Sequence, residues 1–235
     1  MSDAAHRARR AASLLRYGAV QFLVLVPCAM VLYAGGTWWD PRAPGYTFAH
    51  NFLSDLGMTH TFSGASNYAS SALFAVALVS LGLGLVGFAW TWRGFAFAHQ
   101  RARLLGHASA VLGTLCGLAF AGIGLSPFDR LFYPHAVCVL AGFGLLPVYV
   151  ATLAVVMWRN ALRGPLLTAS LAYFVVVLAY LALILFGPTL ATPHGHTVQV
   201  VGQKLVAGAS ILYILALANE VIGHARARGV AGQIS

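Results

Sequence analysis

The chain has 235 residues, 60% of them apolar and only 8% charged, with a net charge of +9. Soluble domains carry roughly 25% charged residues, so a water-facing globular fold is excluded. The arginines sit in short clusters between apolar runs, without the basic stripe or motifs of a nucleic-acid-binding protein. The expected partners are membrane lipids and no nucleic acid, with the basic clusters acting as topology determinants and anionic-lipid contacts.

The N-terminus is basic (Arg7, Arg9, Arg10, Arg16), and an uncharged run from Tyr17 to Trp39 follows. A basic flank before an apolar core also describes a signal peptide. This run is long and no small-residue cleavage motif precedes Gly35, so it predicts a retained first span over about 13–34. The next segment, about 35–66, holds Pro41, Pro44 and Gly45. Within it, Tyr46 to Met58 predicts a short helix ending at Gly57. A second span is expected over about 67–92, a basic loop with Arg93, His99, Arg101 and Arg103, and a third span over about 104–125.

Ser126-Pro127-Phe128-Asp129 reads as a helix start, with Ser at N-cap, Pro at N1 and an acid at N3. The fourth span then runs about 132–158 and the fifth about 165–187, with Arg159 and Arg163 between them. Gly187, Pro188 and Pro193 interrupt the chain, and His194-Gly195-His196 leads into a sixth span over about 197–222, before Arg226 and Arg228. The sequence thus predicts an all-α integral membrane protein: one domain, a six-transmembrane-helix bundle with a long first outer loop. Of its fourteen Lys/Arg, all but Arg42, Arg130 and Lys204 fall on one side. Basic loops stay in the cytoplasm, so both termini are expected there. A plasma membrane, a bacterial inner membrane, is the expected location.

Cys28, Cys116 and Cys138 each lie in an apolar run and read as reduced small hydrophobes. Gly82, Gly84 and Gly87 spell G-x-G-x-x-G, but inside a span, with no preceding strand. They read as helix-packing positions, as do Gly113 and Gly117.

The polar residues that remain gather on the side opposite the basic loops. In His50-Asn51-Phe52-Leu53-Ser54-Asp55-Leu56-Gly57, a helix would put Asn51, Ser54 and Asp55 on one face. They read either as part of a site or as the caps of an interfacial helix. Asp129 either caps the fourth helix or faces His135. In the sixth span His196, Gln199 and Gln203 follow i, i+3, i+7 spacing with Lys204 beside them. A lysine at that depth wants a partner, and Asp55 or Asp129 is expected to supply it.

Two functions are compatible with these residues. In the first, His135, His194 and His196 hold zinc with an open position, and the metal lowers the pKa of a water. Asp55 or Asp129 deprotonates that water, Ser54 or Lys204 stabilises the oxyanion, and Asn51, Gln199 and Gln203 bind a lipid amide or ester. In the second, the protein is a non-catalytic transporter, lipid-binding sensor or partner subunit, and Asp55, Lys204 and Asp129 form a structural polar knot. Whether it is an enzyme, its oligomeric state and its substrate stay open at this point.

Short pieces spread over about residues 15–222 resemble the domain-of-unknown-function 998 family of small bacterial and archaeal membrane proteins. They are Pro44-Gly45-Tyr46, Leu53-Ser54-Asp55-Leu56-Gly57, Asn67 at the start of the second span, the Gly124–Asp129 turn with His135 beyond it, and Gly202-Gln203-Lys204. The resemblance implies six spans and leaves activity open. The Ser-Asp-Leu-Gly stretch is also similar to the outer motif of Frag1 and DRAM-type membrane proteins, some linked to lipid remodelling. A weaker likeness is to alkaline-ceramidase-like membrane hydrolases, which use Ser, Asp and three His around zinc. This chain lacks their H-x-x-x-H on the last helix.

Overall fold

A hydrocarbon environment offers no water to bond peptide groups, so the chain must satisfy its own backbone by forming helices. The computed structural model describes residues 3–95, 100–159 and 164–231. His99 and Arg163, assigned above to the basic side, lie outside them. Six helices follow in chain order: α1 (Asp3–Leu32), α2 (Tyr68–Phe95), α3 (Gln100–Leu125), α4 (Phe132–Arg159), α5 (Pro165–Phe186) and α6 (Pro193–Ala231). Each contains a stretch long and apolar enough to cross a membrane. A single 3-10 turn, Leu53–Gly57, lies between α1 and α2.

Each helix packs on the next, and α6 returns to α1, so the six close into a ring. Among the described residues no other pair of helices packs extensively, which leaves the axis to side chains. Leu15, Phe88, Val150, Leu153, Met157, Val177 and Leu217 are fully buried there, while Val31, Leu205, Leu212 and Phe186 face outward. The outward face of a helix in lipid gains nothing by being polar, so both faces of every span are apolar. The segment 51–58 tucks into one mouth of the ring, against α2, α3 and α6. This mouth is called the plug end; the opposite mouth carries the basic clusters.

Glycines set the closest seam. A Cβ on Gly82 would collide with the carbonyl of Gly117, and one on Gly117 with the carbonyl of Gly82, so α2 and α3 touch through backbone. Gly84 packs on Leu15 of α1, and Gly113 makes room for the ring of Tyr149. Gly87 meets nothing within 4 Å, so the last glycine of the G-x-G-x-x-G run takes no part in this packing.

Several expected boundaries shift. The helix expected over 46–58 shrinks to the 3-10 turn, because His50 and Asn51 donate back to the Thr47 carbonyl and Phe52 is extended (φ −64°, ψ 157°). Ser126 does not cap α4: its Oγ donates 2.6 Å to the Gly122 carbonyl at the end of α3. α6 starts earlier than expected because Thr192 caps it, taking the Gly195 amide on Oγ1 (3.1 Å) and the His196 amide on its carbonyl (2.9 Å), with Pro193 following. His194 and His196 therefore sit in the first turn of α6, not in a loop before it.

Gly82→Ala is expected to lower the melting temperature in detergent, at a cost on the order of 1–3 kcal/mol for the forced separation of α2 and α3. Gly87→Ala, into open space, should be neutral or slightly stabilising by helix propensity. Thermal unfolding followed by circular dichroism compares the two; equal effects would remove the close α2–α3 seam.

Candidate functional site

The plug is held by buried polar side chains, each aimed at a peptide group. Asn51 is completely buried. Its Oδ1 accepts from the Thr47 amide (2.9 Å), and its Nδ2 donates to the Gly36 carbonyl (3.0 Å), to Asp55 Oδ2 (3.1 Å) and to Tyr33 Oη (3.4 Å). Asp55 also accepts from the Phe52 amide (2.9 Å). Tyr46 Oη donates to the Asn51 carbonyl (3.0 Å), and the Lys204 ammonium donates to the same oxygen. The rings of Phe48 (5.1 Å) and Tyr46 (5.4 Å) flank that ammonium. Next to Lys204 on α6, Gln203 Oε1 takes the Leu53 amide at 2.7 Å.

Asn51 and Asp55 thus meet as i, i+4 spacing predicts, but Ser54 turns away from them. Lys204 is buried, as expected, and faces the plug. Its contact is the Asn51 carbonyl, with Asp55 within electrostatic reach rather than in direct ion-pair contact. Asp129 is not part of this knot. It accepts from the Thr59 amide (2.9 Å), Thr59 Oγ1 (2.6 Å) and the His60 amide (3.2 Å), with Arg130 Nε 3.5 Å away. It tethers the α3–α4 turn to the plug and does not cap α4. The expected set of Asp55, Lys204 and Asp129 is two separate clusters.

Asn67 opens α2 as expected. Its Nδ2 donates to the carbonyls of Leu56 (3.2 Å) and Met58 (2.9 Å), and its Oδ1 accepts from the Ala34 amide (3.3 Å). Ser70 and Ser71 donate to the carbonyls of Leu56 (3.1 Å) and Gly57 (2.9 Å). The role of Tyr33, Tyr46, Ser70 and Ser71 in the plug was not read from the sequence. The signal for the serines was there: Asn67, Ser70 and Ser71 are polar at i, i+3, i+4 on an otherwise apolar span.

The three histidines expected to bind zinc do not converge. His135 is buried, and its Nδ1 must donate to the Ser126 carbonyl at 2.8 Å, because a carbonyl only accepts. His194 is exposed. His196 is buried with its ring edge-on to Phe52 at 5.2 Å. Among the described residues no three His, Cys, Asp or Glu side chains are grouped so as to hold a metal ion. The donor set does not fit zinc. Gln199 is likewise committed elsewhere: its Nε2 donates to the carbonyl of Leu183 at 2.8 Å, closing the end of α5 onto α6.

Beneath the plug lies a cavity of about 110 Å³ on the axis of the ring. All six helices line it. α6 contributes Gln203, Ala207, Ser210, Ile211, Ile214 and Leu217, one continuous helical face; α2 gives Phe74, Leu78, Leu81 and Leu85; α4 gives Val139, Phe143, Leu146, Tyr149 and Val150. Gln203 to Leu217 spans roughly 21 Å of helix at 1.5 Å per residue. So small a volume over such a length is a narrow slot, wide enough for one slender chain. Leu53 and Ser54 of the plug form its roof. Toward the basic end Tyr173 Oη donates to Ser210 Oγ (2.7 Å), and Ser170 Oγ lies 3.0 Å from Tyr213 Oη. No charged residue lines the slot.

Ser54 reaches the slot, yet among the described residues no histidine or carboxylate hydrogen-bonds to it, so nothing activates it as a nucleophile. Asp55 Oδ2 is occupied within the plug, as is Lys204.

Burial pushes the Asp55 carboxyl up to about 7, against the opposing effects of the Asn51 hydrogen bond, the Phe52 amide and Lys204. Burial followed by the Asp55 charge holds Tyr33 and Tyr46 far above the usual phenol range, so both remain donors. Burial also acts upward on Asp129, but the Thr59 and His60 hydrogen bonds outweigh it and hold that carboxyl below its usual value.

A raised carboxyl pKa means that the folded state prefers the protonated form. The stability contributed by Asp55 is complete below 3.8 and is lost as pH rises through about 7. Unfolding free energies of Asp55→Asn and wild type, measured from pH 4 to 8, should therefore show a difference that changes by up to about 1.4 kcal/mol per pH unit. A constant difference would show that Asp55 does not titrate in the fold. Asp129 has the opposite sign: its contribution is lost as pH falls through its depressed pKa. Lys204→Met keeps the apolar stem and removes the ammonium; it should cost on the order of 1–3 kcal/mol for the charge-assisted bond to Asn51. An unchanged unfolding midpoint would mean that the knot does not stabilise the plug.

No family model matches the chain, and no curated protein or solved structure matches it.

Proposed function

We propose that this chain is a multi-pass membrane protein that holds one slender apolar chain of a lipid in its axial slot. The polar knot at Asn51, Asp55 and Lys204 is structural and fixes the roof over that chain. The observation that carries the reading is the slot itself, lined by one face from each of several helices and roofed by Leu53 and Ser54. Ligand sites are concave and mostly apolar with a few polar groups that fix orientation, and the slot has that character. The non-catalytic, lipid-binding class fits these residues better than a hydrolase does, since Ser54 has no base and His135, His194 and His196 point to separate tasks. The resemblance to the domain-of-unknown-function 998 family agrees with a six-span protein of this kind. With basic loops on the cytoplasmic side, the plug faces outward, in a bacterial inner membrane.

Lipid analysis of purified protein tests the proposal. After exchange into a detergent with no fatty chain of its own, wild-type protein should retain about one apolar-chain molecule per polypeptide. Ala207→Phe, which puts a ring into the slot, should fall to the background of a similar bundle while keeping its helical content. Absence of stoichiometric lipid from the wild type would sink the reading.

A further inference from the structure

The slot offers free polar groups at its roof alone. Toward the basic end its hydroxyls are paired or shut away: Tyr173 donates to Ser210, Ser210 to the Val206 carbonyl, and Tyr213 bonds Ser170. Tyr149 Oη is closed off, with the tip of its ring against Gly113. At the roof, Ser54 lines the slot and its Oγ has no hydrogen bond among the described residues. Gln203, also on the lining, commits Oε1 to the Leu53 amide, and its Nε2 donates to nothing among the described residues. The amide is planar and its oxygen is fixed to the plug, so Nε2 lies beside Leu53 and Ser54. Both residues are partly exposed, and neither atom is sealed as Tyr149 Oη is. Leu53, Asp55 and Leu56 around Ser54 are buried in the mouth of the ring, which leaves the slot as the space Ser54 faces.

Resting on the lipid-chain reading above, we infer that the roof is a head-group site, where Ser54 Oγ and Gln203 Nε2 donate to one neutral carbonyl oxygen at the end of an otherwise apolar chain. A carbonyl oxygen has two lone pairs and accepts from both groups at once. An alkane would leave both donors dry and unpaired, which costs free energy. A carboxylate or phosphate head would need a counter-ion, and no charged residue lines the slot. Lys204, next to Gln203, is bonded to Asn51 and flanked by Tyr46 and Phe48. The ligand class is therefore a neutral single-chain ester, amide or ketone. It sits with its head against the plug and its tail along Ala207, Ile211 and Ile214 toward the basic end.

The experiment titrates purified wild type, Ser54→Ala, Gln203→Glu and Ala207→Phe with tritiated methyl laurate or dodecane, in a detergent with no fatty chain. Gel filtration separates the probe retained by the protein. Ser54→Ala removes one donor from the roof without enlarging any side chain. It should weaken methyl laurate by about fivefold, the worth of one hydrogen bond, and leave dodecane unchanged. Gln203→Glu keeps the acceptor for the Leu53 amide, loses the amide donor, and should weaken methyl laurate in the same selective way. If Ser54→Ala holds both probes as wild type does, or weakens both equally, the head-group site is wrong and the slot reading survives. If wild type retains neither probe above Ala207→Phe, the slot reading fails and the head-group site fails with it.

Discussion

A peptide group placed inside an apolar ring must find its partner in the protein, because no water is there to supply one. The segment from Leu53 to Met58 is in that position, with Leu53, Asp55, Leu56, Gly57 and Met58 buried in the mouth of the bundle. It is too short and too bent to satisfy itself as an α-helix. The surrounding helices therefore lend side chains to it: Gln203 takes the Leu53 amide, Asn67 and Ser70 donate hydrogen bonds to the Leu56 carbonyl, and Ser71 donates one to the Gly57 carbonyl. Most of the polar residues near this mouth are explained by that one requirement.

Lys204 obeys the same logic with a charge. An ammonium at this depth is costly unless it is fully bonded, and an ion pair with Asp55 would have been one solution. The fold instead gives it a main-chain carbonyl between two aromatic faces, and leaves the carboxylate to Asn51 and the Phe52 amide. Buried ion pairs rarely stabilise more than well-bonded alternatives. What the lysine achieves is position: it ties α6 to the plug, and Asn51 in turn ties the plug to the end of α1 through Tyr33 and Gly36. Gly36 itself needs its left-handed φ of 87°, and a side chain there would strike the backbone at Phe62 and Ser63.

The six spans were legible because a run of about twenty apolar residues has few other meanings. The importance of Asn51, Asp55, Gln203 and Lys204 was legible too, since polar groups among apolar ones must be paired. Their partners were not, because a main-chain amide or carbonyl carries no mark in a sequence. Read from the sequence, Lys204 points to an aspartate, His135 to a metal and Asp129 to its own helix. Lys204 and His135 instead bond main-chain carbonyls, and Asp129 takes two amides and the Thr59 hydroxyl. The slot was illegible for a different reason. Phe74, Leu81, Leu146 and Ile211 read as core residues whether they touch one another or surround a gap, since apolar periodicity records direction and not distance.

That gap bears on how the ring is stabilised. Unfilled space of about 110 Å³ on the axis costs the residues around it the contacts they would otherwise make. A bundle could remove this cost by letting larger side chains meet on the axis, and α6 instead presents Ala207 and Ser210 to the slot. Small residues on that face leave the slot unfilled while each helix still packs on the next. The roof adds to the argument. A plug sewn down by so many hydrogen bonds cannot sink to fill the space beneath it, because each backbone partner it left would be stranded in hydrocarbon. The same requirement that fixes the plug therefore preserves the slot below, and a chain that enters recovers contacts the protein is unable to make for itself.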